Sequence, residues 1–122
     1  MSKLKKSPWY LIWPTFWAWL AAVISMIGLF TPLQPALTQE LRLTDKLIHL
    51  VMFGMLTVVF LVSYRRHRGL VLTELCAYAI LSELLQRWFV YGRTADVFDG
   101  IANSLGILAG WWIVHREEAT RP

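Results

Sequence analysis

Residues 9–30, WYLIWPTFWAWLAAVISMIGLF, contain no formal charge. A helix of about 20 such residues crosses about 30 Å of hydrocarbon, and few soluble folds can hide one. The rest of the chain repeats the pattern in weaker form. Apolar segments at about 46–64, 70–90 and 97–114 follow, separated by TPLQPALTQELRLTDK, RRHRG and the charged stretch before Val97. With 57% hydrophobic residues, 16% charged residues and 7 tryptophans in 122 positions, the polar surface is too small for a water-soluble globule. The expectation is an all-α membrane protein, one domain over residues 1–122, with four transmembrane helices at about 9–30, 46–64, 70–90 and 97–114.

The basic start SKLKK resembles a signal peptide, but the apolar run is long and lacks a small-residue cleavage site, so retention as a span is expected. Trp9, Trp13 and Trp17 recur every four residues, as interfacial anchors do, and Pro14 falls in an early turn. The net charge of +4 resides in short clusters between apolar runs, which speaks for topology and against nucleic acid. Four spans put Lys3, Lys5, Lys6, Arg65, Arg66, Arg68, Arg116 and Arg121 on one side and Arg42, Lys46, Arg87 and Arg93 on the other. That bias predicts both termini in the cytoplasm. Cys76 is the sole cysteine, so no internal disulfide or cysteine-based zinc site can form, and it reads as a lipid-facing or packing residue. Residues 115–122 read as a loose tail.

In this topology the unusual polar residues converge. Asp45, Lys46 and His49 lie at the outer start of the second span, Glu83 and Gln86 in the outward half of the third, Arg93 in the outer connection, and Asp99 and Asn103 at the start of the fourth. A charge near mid-span costs about 2.5–3.5 kcal/mol, so such groups face protein or a wet cavity and find partners. Each residue alone has a plainer explanation. Asp99 suits a helix N-terminus, Glu83 and Arg87 suit a four-residue ion pair, His49 suits a packed histidine, and Asp45 or Thr44 suits a helix cap. Their shared depth points to a site. At about 100° per residue, Asp99, Asn103, Gly106 and Gly110 fall on one narrow stripe, and Gly106 and Gly110 form a GxxxG seam for close helix packing.

At these residues the chain resembles the VanZ-like family of small bacterial membrane proteins. The matching pattern is DKLIH at 45–49, ELLQ at 83–86, Arg93, and DGIANSLGILAG at 99–110, over about residues 40–112. The resemblance implies a multi-helix protein of the bacterial inner membrane and cell envelope. It also implies a link to resistance against the glycopeptide antibiotic teicoplanin.

Two functions follow as expectations. In the first, Lys46 and Arg93 engage an anionic membrane lipid or lipid-linked envelope precursor, with His49 and the acids orienting the cations. In the second, the polar network only joins helices, and the chain serves as an accessory subunit of a larger membrane complex or a homo-oligomer. A proton-linked transporter ranks behind both, since paired interrupted helices are missing. No cofactor, no metal and no ordinary catalysis are expected. A divalent ion on Asp45, His49, Glu83 and Asp99 ranks low, because two strong ligand pairs in a dedicated spacing are lacking.

Overall fold

A computed structural model describes residues 9–31, 39–90 and 96–121, with side chains from residue 13 in the first segment and residue 43 in the second. The described residues form four α-helices: α1 (Trp9–Phe30), α2 (Gln39–Ser63), α3 (Arg68–Phe89) and α4 (Val97–Ala119), with a short 3-10 turn at Arg65–His67 before α3. Each is long and apolar enough to cross a membrane. The 22 residues of α1 extend about 33 Å, matching the hydrocarbon thickness.

Two helix boundaries differ from expectation for one physical reason. Hydropathy marks where lipid ends, whereas a helix continues until its backbone hydrogen bonds are interrupted. The segment from Gln39 to Thr44 contains no proline or glycine, so α2 starts well before residue 46. Neither Thr44 nor Asp45 therefore caps that helix. Likewise His115–Ala119 continues α4 and is not a loose tail. Its end is fixed to the start of α3, where the Arg68 guanidinium forks onto both carboxylate oxygens of Glu118.

The distribution of side chains is inverted relative to a water-soluble bundle. Ser25, His49, Thr57, Ser82, Gln86, Asp99 and Asn103 are buried, while Trp88, Phe89, Ile27 and Trp13 are exposed. Lipid is the solvent for which that arrangement is favourable. Thr57 and Ser82 return their hydroxyl protons to the carbonyls of Phe53 and Ala79, so their burial leaves nothing unmet. Phe53, Leu56, Leu61, Leu75, Ile107 and Val114 supply the apolar core.

Contacts between helices define two parallel pairs. In α1 and α3, Ser25 meets Tyr78 and Leu29 meets Gln86. In α2 and α4, Lys46 meets Asp99, His49 meets Asn103, and Gly54 lies against Gly106 and Gly110. The last pair packs most closely, and glycine is the reason. A Cβ on Gly106 would lie 3.0 Å from the Gly54 nitrogen and closer still to the Leu50 carbonyl. One on Gly110 would lie 2.6 Å from the Gly54 oxygen. The expected GxxxG seam thus exists, and its counterpart on α2 is Gly54.

Candidate polar site at one end of the bundle

The parallel register of α2 and α4 brings the polar starts of both helices together, and α3 returns to the same end. Chain order therefore gathers Asp45, Lys46 and His49 with Asp99, Asn103 and Glu83. Asp96 joins them as the N-cap of α4, its Oδ1 accepting from the Phe98 N–H at 2.9 Å. Its position directly before the apolar run is the signal by which the sequence marks it as a cap.

One half of the site is an ion-paired rim. Lys46 Nζ donates to Asp96 Oδ2 at 2.7 Å and to Asp99 Oδ1 at 3.1 Å, and lies 5.8 Å from the Phe98 ring centre. Two of its three protons are thus committed. The Lys46 side chain is 26% exposed and that of Asp96 36%, so this part reaches the bundle surface.

The other half is a dry floor. His49 is 1% exposed and Asn103 fully buried. His49 Nδ1 lies 2.8 Å from Asn103 Oδ1, and Asn103 Nδ2 donates to Glu83 Oε1 at 3.2 Å. The carboxylate fixes the direction of this chain. Glu83 accepts, so the Asn103 amide must present its NH2 to Glu83 and its carbonyl to His49. His49 therefore carries its proton on Nδ1. Its Nε2 is buried and has no hydrogen-bond partner among the described residues. The closest acid, Asp45 Oδ1, is 3.9 Å away, too far for a hydrogen bond.

Gln86 does not join the cluster. Its Nε2 donates to the Leu29 carbonyl at 2.7 Å, satisfying one of the terminal acceptors of α1 and tying that helix to α3. Arg93 lies outside the described residues, as does the side chain of Trp9. An apolar groove of about 700 Å³ lies elsewhere, lined by Trp19, Phe60, Leu75 and Tyr78, among others. Lipid chains suit such walls, and it has no part in the polar chemistry.

The arrangement can do two things chemically. The rim can offer one remaining ammonium proton to an anion, and the floor can offer an oriented imidazole nitrogen to a partner. A model of the VanZ/LLP1 family matches residues 6–116, reaching past the earlier resemblance to take in α1. No curated protein sequence and no solved structure matches the chain. With nearly the whole chain covered by that match and four membrane-length helices in place, this multi-pass protein belongs to the VanZ/LLP1 family.

Proposed function

We propose that the chain is an envelope factor of the bacterial inner membrane. It binds the anionic head group of a lipid or lipid-linked envelope precursor where α2, α3 and α4 gather their polar side chains. The observation carrying this reading is Lys46, a partly exposed ammonium at the rim with one proton uncommitted, and the buried His49 Nε2, which has no hydrogen-bond partner among the described residues, speaks against a closed packing network. A cluster that existed only to join helices would be expected to satisfy every buried polar atom, because an unmet one costs about 1–3 kcal/mol. This floor retains capacity for a partner that is not protein. Lys46, at the rim with one proton to spare, gives a phosphate its point of approach.

Native mass spectrometry of the full chain released from lipid nanodiscs provides the test. The nanodiscs would contain phosphatidylglycerol and a polyprenyl phosphate in a phosphatidylcholine background, so that the two anionic sources are told apart by mass. Wild-type protein should retain one phosphate-bearing anionic lipid. Lys46→Met, which keeps the apolar stem, should lose it, while Gln86→Leu should not. Retention unaffected by Lys46→Met, or no preference over phosphatidylcholine, rules the reading out. The family link to glycopeptide resistance belongs to the same proposal and is tested by teicoplanin susceptibility with and without the gene.

A further inference from the structure

A head group carrying phosphate would meet carboxylates at this site. Asp45, Glu83, Asp96 and Asp99 stand around Lys46 and His49, with Lys46 paired to Asp96 and Asp99. The same geometry suggests how the conflict is resolved. One ligand-type atom each from Asp45, His49 and Asp99 lies within 4.8 Å of the others. The buried His49 Nε2, the atom with no hydrogen-bond partner among the described residues, lies 3.9 Å from Asp45 Oδ1 within that triad.

We propose that Asp45, His49 and Asp99 form a divalent-metal site for a first-row ion such as Zn²⁺ or Mn²⁺. One imidazole nitrogen and two carboxylates favour these ions over Mg²⁺ and Ca²⁺, which prefer oxygen alone. Tetrahedral bonds of about 2.1 Å would hold the ligand atoms about 3.4 Å apart, so the 3.9 Å between His49 Nε2 and Asp45 Oδ1 would close by about 0.5 Å and the widest spacing in the triad, within 4.8 Å, by up to about 1.4 Å on binding. The surroundings are those of a ligand histidine. Its Nδ1–H is spent on the Asn103 carbonyl, itself anchored by Glu83, which fixes both tautomer and ring orientation. Asp99 has two oxygens, so its bond to Lys46 through Oδ1 is compatible with coordination. Three protein ligands leave positions open on the ion. A phosphate oxygen can fill one, and the dication offsets the two carboxylates that would repel it. This last step rests on the head-group reading above; the ion itself does not.

Metal content is measured on full-length protein in mild detergent, purified with a histidine-free tag and stripped with chelator. Titration should return one Zn²⁺ or Mn²⁺ per chain, with Asp45→Asn and His49→Ala binding about tenfold more weakly or worse. Circular dichroism and gel filtration verify that both variants are folded. A chain carrying His67→Asn and His115→Asn, both at exposed positions, leaves His49 the only imidazole. Its Mn²⁺ form should show imidazole nitrogen coupling by pulsed electron paramagnetic resonance, a readout that survives any folding defect of the ligand variants. Absent stoichiometric binding, unchanged binding in both ligand variants, or a spectrum without that coupling overturns the site. The lipid arm separates the two readings. Lipid retention that falls with chelator and returns with Zn²⁺ supports the bridge, and retention indifferent to chelator overturns the bridge. Ion bound without any lipid retained overturns the head-group reading alone.

Discussion

His49 and Asn103 show how a single amide can set the chemistry of a buried ring. Asn103 accepts a hydrogen bond from His49 and donates one to Glu83, so removing it leaves the buried His49 donor unmet. Asn103→Leu should therefore lower stability by about 1–3 kcal/mol, whereas Ser104→Ala, one position along and exposed, should change it little. Thermal unfolding in detergent reads the difference. In the metal-stripped protein, nitrogen-15 NMR should find Nδ1 protonated. A bare Nδ1 would contradict the direction of the network. At this scale the sequence allowed His49 and Asn103 to be placed in one cluster, since both occupy faces shared with acids four residues away. The unpartnered Nε2 was not legible, because it depends on which way an amide points. Gln86 was misread for a similar reason: a polar residue at the right depth can face either neighbour, and its partner is a backbone carbonyl that no side-chain pattern records.

The glycines of α4 separate two effects that one residue type combines. Gly106 has no room for a methyl group, while Gly100 has nothing within 4 Å of where one would go. Gly106→Ala should push α2 and α4 apart at a cost of about 1–3 kcal/mol. Gly100→Ala should be neutral or stabilising by up to about 1 kcal/mol, since alanine is the better helix former. Parallel melting curves decide it, and equal behaviour of the two variants would remove the seam from the account. The GxxxG spacing made this seam readable from α4 alone. Its partner was not readable, because Gly54 is one small residue in an apolar run and gains meaning only once the register with α4 is known. The same limit applied at the helix ends, where the Arg68–Glu118 pair lies beyond the residues that hydropathy selects.

For the molecule as a whole, four spans would put both termini on one side of the membrane, and the excess of lysine and arginine there predicts that this side is the cytoplasm. Reporter fusions at either end should be active inside and silent outside; opposite results at the two ends would mean that one helix does not cross. Span number and fold class were legible because lipid imposes length and apolarity on every span. Which helices lie parallel, and hence which ends meet, was fixed by side-chain contacts that hydropathy does not contain. The parallel pairing of α2 with α4 also bears on how the protein is made. These two helices are partners in space but are separated by all of α3 in order of synthesis. When α2 emerges from the ribosome, neither Asp99 nor Asn103 yet exists, so Lys46 and His49 wait for them while α3 is translated. Co-insertion of α2, α3 and α4 as a group, rather than one span at a time, is the expected outcome, and crosslinking of nascent chains to lipid before and after α4 is made checks it.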